Sequence, residues 1–367
     1  MKVLYPILHY PPVIGGLEQW SQNIAERQPA DIEIFIVTGK VLGESNFEKK
    51  GNVTIVRTSL FALSDLSHSS IVYIATAVPF IFLRSFLLSK DALAFHCHGF
   101  VSAITGYFLS ALTGKPFICT EQSIKPRNLA SRYIAGMAYR KAAACIGSSR
   151  AVAEEFKKMG VRKIIVIPNG VDLEKFTDAG GPTSRIGSPF VILSVGRLEK
   201  VKGHKYLVEA FASIKKEISN ARLMLVGDGS ERGNLEKQAD ELGIGGAIEF
   251  VGEIPHSELP RRYHGADVFV MPSLSEGFGI TAIEAMAAGV AIVATRAGSL
   301  PEIVRDGEAG ILVERNNAEQ IYDAVLRIYR DETLRLRLAE NGKREAQKFD
   351  WRNSAQEIYE VYCRLVI

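Results

Sequence analysis

Two acids eight positions apart, Glu276 and Glu284, enclose a Gly-Phe-Gly turn in the stretch SEGFGITAIE. Glu276 stands before the turn. Glu284 lies about one turn into the helix predicted to start near Ile280. Gly277 and Gly279 leave the backbone bare, so the amides of Phe278, Gly279, Ile280 and Thr281 can reach the oxygens of a ligand. Two carboxylates beside such amides suit the several hydroxyls of a sugar and a ribose. They would repel a diphosphate, so they belong on its neutral flanks. A carboxylate pair also serves glycoside hydrolysis, which needs both acids to flank one bond. That reading leaves a basic pair upstream unexplained. In SVGRLEKVKGHKYL, Gly196 closes a strand, Arg197 and Lys202 follow five positions apart, and Gly203 opens a helix. Two cations beside a helix N-terminus can clamp a diphosphate; solvated surface charge is the plain alternative. The stretch lacks the GxxxxGK[ST] pattern of a Walker loop.

Three further candidates follow strand-like runs. Gly15 and Gly16 in PPVIGGLEQW close the first run and open a helix, where bare backbone can approach a phosphate. The spacing is not GxGxxG, which weakens a dinucleotide reading. In FHCHGF, His96 and His98 are two apart and share a face if the chain is extended. No other His or Cys pair has metal-ligand spacing, so a metal site is disfavoured. His98, at a strand end before a glycine, reads as a ligand-facing hydrogen-bond donor, with a core histidine as the alternative. Asp228 in VGDGSE either lines a cleft or serves its turn. No Asp-x-Asp occurs in the chain, so the usual ligands of a metal-bridged diphosphate are missing. Arg197, Lys202 and helix amides would have to carry that charge.

The elements that must position these residues alternate twice over. Apolar runs at 33–39, 93–99, 116–122, 144–149 and 163–170 are separated by amphipathic helical patterns. The series restarts at 190–198 and continues at 221–229, 247–254, 267–273, 290–298 and 309–314. Few of these runs alternate cleanly, as expected for parallel strands covered on both faces. The fold class is therefore α/β, with two doubly wound Rossmann-like domains. The Gly-, Pro- and Ser-rich stretch 171–189 marks the boundary. Ligands bind beyond the carboxyl ends of strands in such sheets, so a cleft between the domains is the expected site.

Composition bounds the rest. With 367 residues, 47% hydrophobic and 23% charged, the chain reads as a soluble, packed, two-domain protein. Residues 1–175 carry a net charge of +7 and the remainder −4. The basic half either meets an anionic partner or carries scattered solvated cations. The four cysteines form no CxxC and MKVLYPILHY is too interrupted for a secretory leader, which fits a cytosolic protein. The apolar stretch 71–83 is far short of the ~20 residues of a bilayer span. It reads as a buried helix, or as one with a face on a membrane surface.

Taken together, these residues resemble the retaining glycosyltransferases of family four, which have the GT-B fold. The resemblance rests on GGLE (15–18), HCHG (96–99), IPNGVDLEKF (167–176), GRLEKVKG (196–203), GDG (227–229) and EGFGITAIE (276–284), with the run 250–273 leading into the last. It covers nearly the whole chain and is most specific in the second half. It implies an acceptor-binding domain at 1–172, joined by the final helix at about 350–367, and a donor-binding domain at 173–349. Glu284 would hold the donor ribose. Glu276 and the backbone from Gly277 to Thr281 would hold the sugar and the β-phosphate. Arg197 and Lys202 would stabilise the leaving diphosphate, with Gly196 also binding the donor and Gly15 and Gly16 contacting the same phosphate. His98 would lie near the anomeric carbon, and the backbone near Ile254 would read the base. Transfer would proceed with retention and without a metal or other cofactor. The donor would be a UDP- or GDP-linked hexose, the acceptor a glycan or lipid-linked sugar of cell-surface polysaccharide, lipopolysaccharide or glycolipid synthesis, and nucleic acid no partner. The basic stretch 121–142, with Glu121, Lys125 and Arg127 as candidate acceptor contacts, either faces an anionic or lipid-linked acceptor at the inner face of a membrane or is a solvated surface. A nucleotide-sugar epimerase and a catalytically silent binding module of the same architecture are the competing functions.

Overall fold

The computed structural model describes residues 1–13, 16–59, 71–122, 129–177 and 188–365, with the backbone alone at 71–73 and 129–131. The chain forms two compact units. One is Met1–Gly170 together with Trp351–Ile367, and the other is Val171–Asp350.

In the first unit, eight strands form one sheet. They are β1 (Lys2–Pro6), β2 (Glu33–Thr38), β3 (Phe47–Lys50), β4 (Val53–Arg57), β5 (Ala94–His98), β6 (Phe117–Glu121), β7 (Ala144–Gly147) and β8 (Ile164–Val166), in the order β3-β4-β2-β1-β5-β6-β7-β8. All neighbours are parallel except β3 and β4, which pair antiparallel. Strand β3 escapes the sequence pattern because FEKK is short and polar, as an edge strand should be; β4, VTIVR, lies one strand in and is buried along its length.

Alternate residues of the central strands serve opposite layers. Leu4, Phe95, Cys97 and Phe117 pack under the helices Ile71–Leu88, Phe100–Thr113, Leu129–Lys141 and Arg150–Lys158. Val3, Tyr5, Ile34 and Ile118 pack against Gly16–Glu26 and Trp351–Arg364. The last helix thus belongs to the first unit, although the second unit precedes it in sequence. Its entry is tight: a Cβ on Gly170 would lie 2.5 Å from the Trp351 backbone and ring.

One expectation is corrected here. The helix at 71–83 runs on to Leu88 and, among its described side chains, is buried on one side only. Ala77 and Ile81 face the core, but Phe80, Leu83, Phe86 and Leu87 are exposed. Mean hydropathy along the run cannot separate these two faces, because nearly every position is apolar.

In the second unit, six parallel strands stand in the order β11-β10-β9-β12-β13-β14. They are β9 (Val191–Val195), β10 (Arg222–Val226), β11 (Ile248–Gly252), β12 (Val268–Met271), β13 (Ala291–Thr295) and β14 (Ile311–Val313). Helices His204–Glu217 and Ala318–Arg330 cover one face, and Ile280–Ala287 covers the other. The strand order reverses direction between β1 and β5 in one unit and between β9 and β12 in the other. At such a switch point neighbouring loops diverge to opposite faces and leave a crevice at the carboxyl ends of the strands.

Candidate active site

The residues singled out in the second unit lie at its switch point. Gly196, Arg197 and Lys202 follow β9, and Glu276 through Thr281 follow β12. Glycines let these loops touch. Gly203 has φ 68°, and a Cβ there would overlap the Pro272 carbonyl. Gly298, in the loop after β13, has φ 55°, and its Cβ would overlap the Glu276 carbonyl. Side chains tie the same loops: Thr295 Oγ1 donates to Ser273 O at 2.5 Å, and Ser299 Oγ to Phe278 O at 2.7 Å.

Glu276 is held at the centre of this packing. Lys202 Nζ donates to its Oε2 at 2.6 Å, and Ser273 Oγ donates to the same oxygen at 3.3 Å. Both partners of the ion pair are largely buried, with 20% and 11% of their side-chain surface exposed. Arg197 is exposed; its carbonyl accepts from Glu199 N at 2.8 Å, but its guanidinium makes no hydrogen bond or ion pair among the described residues. The helix Ile280–Ala287 begins after Gly279, whose φ of 93° suits glycine. Its first amides have no acceptor within the helix, the ordinary condition of a helix start and the source of its attraction for anions. An unpaired guanidinium, an ion-paired lysine and open amides therefore occur on adjacent loops.

Glu284 sits one turn further in and is 2% exposed. Its carboxylate is engaged at both oxygens. Oε1 lies 2.8 Å from His256 Nε2, and Oε2 accepts from the Tyr263 hydroxyl at 2.8 Å. The carboxylate raises the pKa of His256 above its ordinary value, against the opposing effect of partial burial. Ile254, two residues beyond β11, leads into this histidine. Asp228 serves its own turn, accepting from Gly229 N at 2.7 Å and from Arg232 at 3.0 Å.

In the first unit His98 closes β5, beside the strand that leads to Gly15 and Gly16. It is 5% exposed, and neither ring nitrogen has a hydrogen-bond partner among the described residues. Burial pulls its pKa down to about 3, so the ring is neutral at pH 7 and offers one N–H and one lone pair. The ring stacks on His96 with centroids 4.3 Å apart, and Tyr5 and Trp20 flank it. His96 is a structural partner: its nitrogens face the Tyr362 hydroxyl at 2.6 Å and Thr120 Oγ1 at 2.8 Å. The final helix, through Tyr362, thus helps to fix the histidine pair. Gly16 opens its helix against Gln122, whose amide donates to Gly16 O at 2.8 Å. A Cβ on Gly16 would lie 2.6 Å from Gln122 Oε1.

The remaining candidates are placed differently. Glu121 is buried at the end of β6, where it accepts from the Tyr139 hydroxyl at 2.5 Å, and burial pushes its pKa up to about 7. Gly15, Lys125 and Arg127 lie outside the described residues. Among the described residues, no three His, Cys, Asp or Glu side chains are grouped as a metal ion would require.

Sequence reasoning missed Tyr263, His256, Tyr362 and Gly298. Gly298 alone carried a readable signal, being a glycine just past a strand end. The other three meet their partners across 21, 28 and 266 positions.

Comparison with known proteins agrees with this architecture. Residues 182–345 match the family model for glycosyl transferases group 1, and residues 14–175 that for glycosyltransferase family 4. A D-inositol 3-phosphate glycosyltransferase of Paenarthrobacter aurescens is 30% identical over 302 residues, 74% of this chain and 73% of its own. Its namesake in Corynebacterium jeikeium is 36% identical over 217 residues, and the match spans about half the length of each protein, 55% here and 52% there. Among solved structures, a sucrose-phosphate synthase from Thermosynechococcus elongatus superimposes with a TM-score of 0.82 at 22% identity, covering 100% of this chain and 99% of its own. Anabaena HepE in complex with UDP gives 0.80 at 21%, covering 99% and 100%. The chain belongs to the group 1, family 4 glycosyltransferases, and its fold is GT-B.

Proposed function

We propose that the protein is a retaining glycosyltransferase that moves a hexose from a nucleoside-diphosphate sugar to a glycan or lipid-linked acceptor, on the cytoplasmic side of the cell. The observation that carries this reading is the grouping of Arg197, the Lys202–Glu276 pair and the open amides after Gly279 on neighbouring loops of one unit. Cations and amides can take up the charge that develops on a leaving diphosphate, with no metal in the proposed mechanism. Glu276 and Glu284 can accept from sugar and ribose hydroxyls. The UDP bound to the Anabaena protein of the same fold supports a nucleotide donor, and we take a uridine or guanosine diphosphate sugar as the class.

In the first unit, His98 can donate to a sugar hydroxyl without carrying charge. The leaving phosphate itself would take the acceptor proton, so that no side chain is required as base. The acceptor fits synthesis of a surface polysaccharide or glycolipid.

The test is a thermal-shift panel with UDP, GDP, ADP and CMP, followed by a transfer assay on the stabilised donor class. A diphosphate at ~100 times its Kd should add about 2.7 kcal/mol of stability. The result should not change with EDTA. Loss of the shift with EDTA would overturn the metal-free clamp. A shift without any new glycosidic bond in the presence of acceptors would instead support an epimerase or a binding module.

A further inference from the structure

Seventeen large apolar side chains are exposed among the described residues, and nine of them lie on three helices of the first unit. These helices, Ile71–Leu88, Phe100–Thr113 and Leu129–Lys141, pack successively against one another on one face of the sheet. Leu83 and Leu87 stand one turn apart on the first, Phe108 and Leu112 on the second, and Tyr133 and Met137 on the third. On the first two helices the exposed residues fall in the C-terminal halves. Their inner faces, through Ala77, Ile81, Ala103 and Leu109, supply the core. The outward apolar residues are therefore surplus to folding.

Charge decides what can cover them. These 45 residues contain four cations, Arg84, Arg132, Arg140 and Lys141, and not one Asp or Glu. Just beyond the ends of the first two helices come Lys90, with Asp91 next to it, and Lys115. A surface made to stay in water mixes both signs. Apolar side chains among unopposed cations fit an interface that is apolar inside and anionic outside, which is the chemistry of a bilayer surface bearing acidic headgroups. No helix among the described residues is long and apolar enough to cross a membrane.

We infer that this helical face docks the protein on anionic lipid, with the leucines and aromatic rings entering the headgroup boundary and the cations pairing with lipid phosphates. The inference deepens the proposed function, and only its link to a lipid-linked acceptor rests on that reading. The contact itself follows from the surface.

The test is co-sedimentation of the full chain with vesicles of phosphatidylcholine, with and without roughly 30 mol% phosphatidylglycerol. Binding should be at least roughly tenfold stronger with the anionic lipid and should fall in roughly 0.5 M salt. The variant Leu83→Glu/Leu112→Glu should lose roughly tenfold or more. The milder Leu83→Ser/Leu112→Ser should lose less and guards against a folding defect. Arg84→Gln/Arg132→Gln/Lys141→Gln should weaken binding at low salt only, by roughly fivefold per cation. The thermal shift with nucleoside diphosphate, read on the same variants, should not change. Its absence in every variant and in the parent would count against the glycosyltransferase reading and leave the docking result standing. Equal binding to neutral vesicles, no binding at all, or binding indifferent to these substitutions would overturn the docking face. So would a concentration-dependent dimer that Leu83→Glu abolishes, because the face would then belong to a second copy.

Discussion

The strand-end clusters of the two units solve different problems. After β9 and β12, Arg197, Lys202, Glu276 and the amides from Phe278 to Thr281 form a charged, partly open surface. After β5, His98 is buried, uncharged and enclosed by Tyr5, Trp20 and His96. The first kind of cluster is suited to an ionic ligand, which charge attracts even beside solvent. The second gives direction to one or two hydrogen bonds in a dry place, where an unmet polar atom is costly. Under the proposed function, the second unit is the one expected to supply nucleotide affinity.

The substitution expected to have the largest effect is Lys202→Ala. It removes a cation from the proposed leaving group and leaves Glu276 without its ion-pair partner. Transfer should fall by roughly 10³-fold, and the thermal shift with nucleoside diphosphate should shrink. An undiminished shift would detach the charged cluster from the nucleotide.

His98→Phe is the matching change in the first unit. It keeps a ring stacked among Tyr5, Trp20 and His96 but removes both nitrogens. Transfer should fall by roughly 10²-fold while the nucleotide shift stays intact. Equal loss of both readouts would erase the distinction between the units. No titration of His98 should appear between pH 5 and 8, because burial holds its pKa near 3.

Gly298→Ala acts on geometry alone. The added Cβ meets the Glu276 carbonyl, and φ at this position is 55°. The loops after β12 and β13 must separate, at a cost of about 1–3 kcal/mol. Calorimetry should record the lower Tm, and transfer should drop with it. A variant as stable and active as the parent would show that these loops do not need their close contact.

The smallest effect concerns His256. It faces Glu284, Phe176 and the Lys175–Asp172 pair. Glu284 raises its folded pKa, so its contribution to stability is present below the unfolded value near 6.5 and is lost as pH rises through the raised value. The Tm difference between parent and His256→Ala should therefore be larger at pH 5.5 than at pH 8.5. With Glu284 as the ribose ligand of the proposed function, a protonated His256 would compete with the ribose hydroxyls for it. Donor KM should fall severalfold as pH rises through that range, and His256→Ala should flatten the profile. An unchanged profile would remove His256 from donor binding.

The legibility of the two clusters differs for a physical reason. Glu276, Arg197, Lys202 and their glycines lie within a few positions of strand ends, and charge and missing Cβ atoms are local properties. Hence the α/β class, the two-sheet layout and the charged cluster could be read directly from the sequence. Tyr362, Tyr263 and His256 are ordinary core or surface types until the chain folds. The helix 71–88 shows the same limit, since an unbroken apolar run does not say which side is covered. Strand β3 was missed because a short polar edge strand gives no periodic signal, whereas β4, VTIVR, carries the apolar signal of a buried strand and was passed over.

Sequence alone thus determined which residue types follow which strands, because helix and strand periodicity and turn chemistry act over a few residues. Only the tertiary structure decided which of them meet: Lys202 with Glu276, Glu284 with His256 and Tyr263, and the last helix with the first sheet. Those pairings depend on where distant segments pack, and burial sets the protonation of His98 and Glu121 only once that packing exists.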